Sequence, residues 1–515
     1  MTRRKLPIGI QTFGKIREAD YYYVDKTSFA LKLIEEGTTY FLSRPRRFGK
    51  SLFLDTLAEL FAGNEPLFRG LHCHDKWDWN TKYPVIRISF AAGTMESRAE
   101  LNERLHHILA ENERLLGVEK DESGIPDRFI ALIQTAKARF GQRVVVLVDE
   151  YDKPILDNLT RPDLAREMRD GLRNLYSVIK DQDAHIRFAM LTGVSKFSKV
   201  NIFSGLNNLN DITLDAEYSD ICGYTEADVD TVFAPELEGL DREKIRRWYN
   251  GYNWSGEAVY NPFDLLLLFQ KREFRSFWFE TGTPTFLVDM LTERKVYLPT
   301  LLKMRSSSEL ISAFEVGDIS TEALMFQSGY LTIIEKKIQG DNILFTLGYP
   351  NREVRGALTG NILRRWTGNP QKAVESSFDL HDALEANDFG KIREIFFSLY
   401  ASIPNDWFRK NGIDQFEGYY ASVFYASFAA LGLDIVPEDV SNQGRLDMAV
   451  QFNGQVYLFE FKVVEDAAEG KALAQIREKQ YADKYRSLNQ PIHLIGIEFS
   501  KKTRNVVGFE VESAG

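Results

Sequence analysis

The sequence predicts an α/β protein in which a doubly wound domain with a parallel sheet is followed by a smaller α/β domain. Over roughly the first 200 residues, short apolar runs alternate with amphipathic segments, which indicates strands alternating with helices. Residues 143–149, RVVVLVD, contain a continuous apolar run rich in β-branched residues, typical of a strand buried on both faces of a parallel sheet. Near the end of the chain, Asn453 and Gly454 separate two strand-like runs and predict a hairpin turn.

The spacing of apolar residues assigns the elements of both domains. For the first domain it predicts strands at 38–43, 84–90, 143–149 and 186–193, and helices at 51–61, 96–115, 126–140 and 163–182. For the last hundred residues it predicts a helix at 416–432, strands at 445–452, 455–464 and 492–499, and a helix at 467–488. Between these regions, short helices and a small mixed connector are expected over 216–370, and further helices over 371–410.

The length of the chain, its cysteine content and its apolar runs limit the classes of protein to which it could belong. The chain has 515 residues, which is more than one hydrophobic core supports, so several domains are expected. Its two cysteines, Cys73 and Cys222, are too few for a disulfide framework and fit a reducing compartment. The basic start has no apolar stretch behind it, and no apolar run is long enough to span a bilayer. A cytoplasmic protein without a membrane partner is therefore expected.

The segment RPRRFGKS at residues 44–51 has the features of a phosphate-binding loop. It stands between a predicted strand and a predicted helix, where backbone N–H groups and the helix start favour an anion. Lys50 would reach the β- and γ-phosphates, and the Ser51 hydroxyl would bind Mg²⁺. Arg44 replaces the first glycine of the pattern G-x-x-x-x-G-K-S, so a basic surface turn is the alternative. The residues expected to contact the nucleotide are Arg46, Arg47, Phe48, Gly49, Lys50 and Ser51.

A second motif follows about a hundred residues later and supports the first one. In VVVLVDEYD, Asp149 and Glu150 stand at the C-terminal end of a predicted buried strand, where α/β folds bind ligands. Asp149 would hold Mg²⁺ through water, and Glu150 would polarise the attacking water as the catalytic base. A third strand ends at Thr192, whose hydroxyl would sense the γ-phosphate. Thr192 followed by glycine is also an ordinary strand exit.

The C-terminal hairpin carries two carboxylates and a lysine. Asp447 lies on the first strand, and Glu460 and Lys462 lie two residues apart on its partner, so alternation puts both on one face. Two carboxylates and a lysine suit a divalent ion that activates water for phosphodiester cleavage. The alternative is a structural salt bridge, but the apolar residues around Glu460 make a lone charge costly.

Several segments together resemble one known family. They are VDKTSFALKLI, YFLSRPRRFGKSLFLDTL, VVVLVDEYDKPI, LTGVSKFSKVNIFSGLNNLNDIT, WYNGY, YNPF and GYPNREV. Through nearly its whole length the chain is similar to AAA-ATPase-like proteins that carry a C-terminal PD-(D/E)xK nuclease-like domain. In that family an arginine in place of the first loop glycine is the usual form, so Arg44 agrees with the resemblance.

The resemblance implies a domain order and further site residues. The implied domains are an AAA+-like core at 1–215, a helical lid at 216–290, a winged-helix-like or helical connector at 291–400, and a restriction-endonuclease-like domain at 401–515. It also implies that Glu417, on the helix before the hairpin, is a further metal ligand beside Asp447 and Glu460. Gln475, on the following helix, matches an accessory catalytic position, and Tyr481 is a weaker candidate.

Other suggestive residues carry less weight. His72, Cys73 and His74 occur in a strand-like stretch without further ligands nearby, so plain structure is favoured over a zinc site. Arg246 and Arg247, just before WYNGY, would supply a lid arginine to the nucleotide or form the solvated face of a helix. Arg173 is a comparable candidate.

Two functions from different classes compete. The first is an ATPase joined to a nuclease, with ATP regulating the cleavage of DNA by Mg²⁺ or Mn²⁺ at the C-terminal site. The second is a nucleotide-dependent switch or assembly protein whose nuclease fold only recognises a partner. Residues 401–515 contain 12 Lys+Arg and 16 Asp+Glu, so DNA binding is expected to need other domains or a homo-oligomer.

Overall fold

The structure is a computed structural model of the chain, and its described part forms two compact units. The described residues are 3–121, 123–196, 206, 208–278, 285–294, 296–312, 319–403, 417–441 and 443–514. Unit 1 comprises Met1–Trp278 and Met304–Asn351, and unit 2 comprises Phe279–Lys303 and Arg352–Gly515. The segment 291–400, expected from the sequence to be a connector, is therefore divided between the two units.

The helices occupy most of the segments between the strands. The α-helices of the described residues are α1 (Phe13–Glu18), α2 (Thr27–Glu36), α3 (Lys50–Phe61), α4 (Arg98–Leu116), α5 (Ile125–Phe140), α6 (Lys153–Leu156), α7 (Pro162–Asp181), α8 (Glu226–Val232), α9 (Arg242–Tyr249), α10 (Pro262–Lys271), α11 (Thr285–Glu293), α12 (Ser308–Ser312), α13 (Thr321–Gln327), α14 (Arg352–Thr367), α15 (Pro370–Ala386), α16 (Phe389–Ser402), α17 (Glu417–Ala430) and α18 (Lys471–Glu478). Short 3₁₀ helices are Glu65–Phe68, Asp183–His185, Ala216–Tyr218, Ala234–Glu236, Leu298–Leu302 and Tyr481–Leu488.

The strands form three sheets. The strands of the described residues are β1 (Thr39–Ser43), β2 (Val85–Ser89), β3 (Val144–Asp149), β4 (Ile186–Gly193), β5 (Asn210–Asp211), β6 (Met304–Ser307), β7 (Thr332–Gln339), β8 (Asn342–Gly348), β9 (Asp434–Val440), β10 (Arg445–Phe452), β11 (Gln455–Val464), β12 (Ile492–Ser500) and β13 (Val506–Ala514). The strand orders are β2-β3-β4-β1-β5, β6-β8-β7 and β13-β12-β11-β10-β9.

The first sheet confirms the predicted α/β fold class. Its five strands are all parallel, and the interior strands β1, β3 and β4 are almost fully buried because their apolar residues face helices on both sides. In a parallel sheet all carboxyl ends meet at one edge, so Ser43, Asp149 and Gly193 end neighbouring strands there. The strands and helices predicted for the first domain are confirmed to within two residues.

Unit 1 also contains a small antiparallel sheet, β6-β8-β7. Thr332 at the start of β7 accepts a hydrogen bond from the backbone N–H of Asn253 at 2.7 Å. Gly251, in the same WYNGYNW segment, lies so close to Pro350 that a Cβ on it would be 1.9 Å from the carbonyl oxygen of Pro350. The aromatic segment therefore contacts the start of β7 at Thr332 and the residue Pro350, which follows β8.

The second five-stranded sheet forms the core of unit 2 and is mixed. Strands β11 and β12 run parallel, whereas the other neighbours are antiparallel. The hairpin predicted around Asn453 and Gly454 is confirmed, with Phe452 paired to Gln455 across the turn. Helix α17 contributes ten buried residues, which explains why its sequence reads as apolar on every side.

Three details of the sequence interpretation were wrong or incomplete. The single helix predicted at 467–488 is wrong: α18 ends at Glu478, Gln480 adopts φ 49°, and a 3₁₀ helix follows. The side chains of Tyr481 and Tyr485 cause this change, because they bond to Arg445 and Asp439 on the sheet. Strands β9 and β13 were not predicted; both are edge strands, and proline interrupts the pattern of β9.

The residues His72, Cys73 and His74 also differ from the expected strand-like stretch. They form successive turns, in which the backbone N–H of His74 donates to the carbonyl of Leu71 at 3.0 Å. Cys73 is buried, and burial raises the pKa of its thiol to about 11. In the described part of the chain, no helix is both long and apolar enough to cross a membrane.

The contact at Gly251 yields the first prediction. Gly251→Ala should destabilise the protein by about 2 kcal/mol or more, because φ is 114° and the new Cβ would collide with a backbone carbonyl. Gly340→Ala is the matched control, since Gly340 has φ 60° but open space around it. Chemical denaturation measures both changes. Equal free energies of unfolding for the two variants would contradict the close contact.

Candidate functional site

The loop between β1 and α3 leads into a helix start without a side-chain cap in the described part of the chain. Its residues include Arg47 with φ 70° and Gly49 with φ 97°, which turn the backbone into the start of α3. Gly49 is the N-cap, and no side chain of the described residues caps the first turn of the helix. The N–H groups of that first turn therefore remain available to a negatively charged ligand.

Lys50 is held inside this loop. Its Nζ donates to the carbonyl oxygens of Arg44 at 2.9 Å and Pro45 at 3.0 Å, and the residue is only 6% exposed. Burial lowers the pKa of Lys50, while the nearby carboxylate of Asp149 acts in the opposite direction. The ammonium group is thus bonded to the loop carbonyls and is influenced by the carboxylate of Asp149 at the end of β3.

Arg44 explains how the loop can lack its first glycine. The side chain is fully buried, and its guanidinium donates to the carbonyls of Thr213 at 2.9 Å and Tyr218 at 3.0 Å. It also lies over the ring of Trp254 at 4.2 Å. Burial lowers the pKa of Arg44 to about 10. Arg44 therefore fixes the base of the loop to the following segment and takes a structural position rather than one facing a ligand.

The neighbouring loop residues are held in part by aromatic contacts. Phe48 is buried against the edges of Tyr252 and Trp254, with ring centroids 4.7 and 5.3 Å apart. The guanidinium of Arg47 lies 4.0 Å from the ring of Phe263 on α10. Phe48 thus supports the loop from inside. Arg46 is exposed, and its positive charge acts to lower the pKa of the Glu150 carboxyl.

The predicted carboxylates lie together beside the loop. The Asp149 carboxylate accepts a hydrogen bond from the Thr192 hydroxyl at 2.9 Å, which links the ends of β3 and β4. Glu150 has φ 52°, and burial together with the charge of Asp149 raises the pKa of its carboxyl. Ser51 is half-buried in the first turn of α3. The geometry thus brings the two motifs and Thr192 to one edge of the sheet.

Asp152 is a residue of this site that the sequence interpretation missed. Its buried carboxylate accepts hydrogen bonds from the N–H groups of Val194 at 3.0 Å and Ser195 at 2.6 Å, and from the Ser195 hydroxyl at 2.7 Å. Burial raises the pKa of Asp152 despite these bonds. Asp152 therefore connects the residues that follow β4, just after Thr192, to the turn that follows β3. The sequence signal that could have indicated Asp152 is its place as the second aspartate of the motif DEYD.

The arginine candidates from elsewhere have local partners. Arg246 pairs with Glu226 at 2.9 Å and Glu243 at 2.8 Å, within the network around α8 and α9. Arg173 lies 3.7 Å from Asp170, one turn earlier on α7. Arg247 is exposed on α9. Residues 197–205, which belong to the segment that carries the family resemblance, lie outside the described residues.

In unit 2, Asp447 and Glu460 occupy opposite positions of the β10–β11 hairpin. Met448, which follows Asp447, pairs with Phe459, which precedes Glu460, so continuing the register by one position places the two carboxylates across from each other. Asp447 accepts a hydrogen bond from the backbone N–H of Phe461 at 2.7 Å. Glu460 is only 1% exposed, and its Oε2 has no hydrogen-bond partner among the described residues.

The other predicted residues surround Glu460. The Nζ of Lys462 donates to Glu460 Oε1 at 3.1 Å and to Glu417 Oε1 at 3.4 Å. Gln475 on α18 also donates to Glu460 Oε1 through its amide. Tyr481 donates instead to the carbonyl of Arg445 at 2.9 Å. One oxygen of Glu460 is thus fixed by two donors, while the other is left to an additional partner.

Burial dominates the electrostatics of this cluster. It raises the pKa of Asp447 to about 6 and the pKa of Glu460 to about 7, and for Glu460 the charge of Asp447 adds to the rise. Burial alone would lower the pKa of Lys462, but the carboxylates of Glu460 and Glu417 outweigh it and raise the pKa. The buried Glu460 and the half-buried Asp447, with a single lysine, carry excess negative charge, which a divalent cation would neutralise.

Tyr297 is a further residue near this site that the sequence did not indicate. It precedes the 3₁₀ helix at Leu298–Leu302, whose first N–H donates to the Ser422 hydroxyl at 3.3 Å. Its ring faces Gly418 on α17, and a Cβ on that glycine would lie 3.4 Å from it. Burial, followed by the charges of Glu438 and Asp447, raises the pKa of Tyr297. No sequence signal connects it with a motif 120 residues away.

These geometries define a phosphate-loop α/β domain followed by a PD-(D/E)XK-type domain. The family described as "Predicted AAA-ATPase" matches residues 7–203, and the "PD-(D/E)XK nuclease superfamily" matches residues 415–509. A protein of Azotobacter chroococcum mcd 1, described as "Uncharacterized protein in vnfD 5'region", is 64% identical over 516 residues, which cover all of both chains. The chain belongs to this family of AAA-ATPase-like proteins with a C-terminal PD-(D/E)XK nuclease superfamily domain.

The carboxylate pair yields the second prediction. Because the folded-state pKa values of Asp447 and Glu460 lie above those of the unfolded chain, the pair favours the folded state most below about pH 4. That stabilisation is lost as pH rises through about 6 and 7. Mn²⁺ should restore stability above pH 7, because it neutralises the deprotonated pair.

Thermal unfolding at pH 5 to 8, with chelator or with Mn²⁺, measures this effect. The control variant Asp447→Asn removes one of the two titrating groups, so its unfolding midpoint should depend less on pH and on Mn²⁺. Identical pH profiles for the wild type and Asp447→Asn would contradict the coupled pair.

Proposed function

We propose that this protein binds and hydrolyses ATP in unit 1 and cleaves DNA at the carboxylate cluster of unit 2, with ATP regulating the cleavage. The observation that carries the nuclease half is the buried Glu460, which lies opposite Asp447 and keeps one oxygen without a partner among the described residues. A purely structural carboxylate at 1% exposure would be expected to use both oxygens.

In the ATP half, the roles follow from what each group can do. The N–H groups of the first turn of α3 would bind the phosphates, and Lys50 would exchange the loop carbonyls for β- and γ-phosphate oxygens. Ser51 and Asp149 would hold Mg²⁺, which neutralises charge on the phosphates. Glu150 would accept the proton of the attacking water, and Thr192, bonded to Asp149, would sense the γ-phosphate.

In the nuclease half, the residues fit a divalent cation. Asp447, Glu417 and Glu460, through the Oε2 that has no partner among the described residues, would hold Mg²⁺ or Mn²⁺, since hard cations prefer carboxylate oxygens. The ion would lower the pKa of bound water and polarise the scissile phosphate. Lys462 would orient the water or stabilise charge on the phosphate. Gln475 would hold Glu460 in place through Oε1.

A nucleotide-dependent switch remains the second candidate, and a specific observation favours it. Residues 401–515 carry 12 Lys+Arg against 16 Asp+Glu, an unfavourable balance for binding a polyanion. In that case the carboxylate cluster would recognise a partner without cleaving it. For either function we propose action in the cytoplasm, consistent with two free, buried cysteines, and we propose that a homo-oligomer supplies further DNA contacts.

One experiment separates the two functions. Purified protein is incubated with linear, circular and branched DNA, with and without ATP, in Mn²⁺ or Mg²⁺. If the protein is a nuclease, Mn²⁺-dependent cleavage products should form, and their amount should change with ATP. DNA should also stimulate ATP turnover. Tight ATP binding without turnover, and no cleavage of any substrate, would favour the switch.

The third prediction separates ATP binding from hydrolysis. Lys50→Ala should lose most ATP affinity, because it removes the charge that faces the phosphates. Glu150→Gln should bind ATP like the wild type but turn it over roughly a hundredfold more slowly, because the amide cannot accept the proton. Calorimetric titration and phosphate release measure the two effects.

The control for charge is Lys137→Ala, which removes a lysine that bonds to His185 at 3.1 Å, outside the loop. It should bind and hydrolyse ATP normally. Wild-type turnover by Glu150→Gln would exclude Glu150 as the base, and unchanged affinity in Lys50→Ala would exclude the loop as the ATP site.

The fourth prediction concerns cleavage. Asp447→Ala and Lys462→Ala should abolish DNA cleavage and leave ATP hydrolysis intact, because the two sites lie in different units. Asp434→Asn is the matched control, since this exposed aspartate begins β9 in the same sheet without joining the cluster. Cleavage is compared on identical preparations by gel electrophoresis. Equal cleavage by the wild type and Asp447→Ala would show that the activity comes from another protein.

A further inference from the structure

A second buried glutamate of unit 2, Glu498, holds the beginning of helix α18. Glu498 lies on β12 and is 2% exposed. Its Oε1 accepts hydrogen bonds from the backbone N–H groups of Lys471 at 2.6 Å and Ala472 at 3.3 Å. Its Oε2 accepts from Glu469 and, at 3.0 Å, from Gly470. One carboxylate thus satisfies four consecutive N–H groups at the helix start.

This arrangement replaces an ordinary helix cap. Gly470 is the N-cap of α18 and has no side chain to bond to the first turn. Of the four N–H groups that an α-helix leaves unsatisfied at its start, Glu498 bonds the first three, those of Gly470, Lys471 and Ala472. A negative charge at this position also interacts favourably with the helix dipole. An eight-residue helix is too short to be stable by itself, so its position depends on such contacts.

The helix fixed in this way is the one that carries Gln475. Helix α18 lies directly on β12, because a Cβ on Gly496 would be only 2.3 Å from the backbone nitrogen of Leu473. In the parallel register, Gly496 pairs with Glu460 and Glu498 pairs with Lys462. Gln475, four residues after Lys471, donates its amide to Glu460 Oε1. Glu498 and the carboxylate cluster are thus connected through one short rigid element.

We propose that Glu498 is a positioning residue of the C-terminal site: it fixes the start of α18 and so keeps the Gln475 amide on Glu460. The inference rests on the proposed metal site. With Oε1 of Glu460 held by Gln475 and Lys462, Oε2 stays directed at the cation. When α18 shifts, Glu460 loses this donor and can rotate, and the cation is bound more weakly. Outer residues of this kind commonly change metal affinity by roughly 10- to 100-fold.

The test is a double-mutant cycle on Mn²⁺ affinity in the full-length protein. The dissociation constant is measured from the electron paramagnetic resonance signal of free Mn²⁺ for the wild type, Glu498→Gln, Gln475→Ala and the double variant. Each single variant should weaken binding by roughly tenfold or more. The double variant should be no weaker than the weaker single variant, because both changes remove the same interaction.

Glu512→Gln is the matched control. Glu512 pairs with Arg477 at the other end of the same helix, but both side chains are exposed. Its loss should leave Mn²⁺ affinity unchanged, since exposed pairs contribute little. Unchanged affinity in Glu498→Gln would overturn the proposal. So would weakening that multiplies in the double variant, because it would show that Glu498 does not act through Gln475.

Two further measurements keep the test interpretable. Thermal unfolding is followed for every variant, and Glu498→Asp, which keeps the charge, replaces Glu498→Gln in the cycle if the latter does not fold. The same non-additivity with Gln475→Ala is expected, and additive weakening would again overturn the proposal. A wild type that binds no Mn²⁺ would instead refute the proposed metal site itself.

Discussion

The excess negative charge of Asp447 and Glu460 is the constraint on which the architecture of unit 2 depends. The hairpin register places two carboxylates opposite each other under cover of α17 and α18, where burial favours their protonated forms. Lys462 supplies one positive charge, and Glu460 keeps one oxygen without a partner among the described residues. Such an arrangement is costly as a purely structural feature. A divalent cation would neutralise the excess negative charge and would bind the unpartnered carboxylate oxygen.

In unit 1, buried charged side chains are stabilised mainly by hydrogen bonds to backbone groups. Arg44, Lys50 and Asp152 are all buried, and their principal hydrogen bonds go to carbonyl or N–H groups. Arg44 thereby fixes the base of the phosphate loop, Lys50 closes it, and Asp152 fixes the strand exit beside it. The same principle recurs in unit 2, where Glu498 satisfies the start of α18. In both units, buried charges bonded to the backbone fix the loop, strand end or helix that carries groups proposed to meet a ligand.

The sequence predicted the parts whose signal is local. Apolar runs gave the interior strands, and the turn at Asn453 and Gly454 gave the hairpin that brings Asp447 opposite Glu460. The sequence could not indicate Tyr297 or Glu498, because each acts through contacts with residues distant in the chain. The break at Gln480 was missed for a related reason: tyrosine contacts with the sheet, rather than helical propensity, determine the path.

The proposed cation site at the carboxylate cluster is tested most directly by anomalous diffraction from crystals of the full-length protein grown with Mn²⁺. An anomalous peak is expected between Asp447 and Glu460, within coordination distance of Glu460 Oε2, with Gln475 still bonded to Oε1. A map without a peak at this position, in which Lys462 alone neutralises Glu460 at a saturating concentration of Mn²⁺, would contradict it.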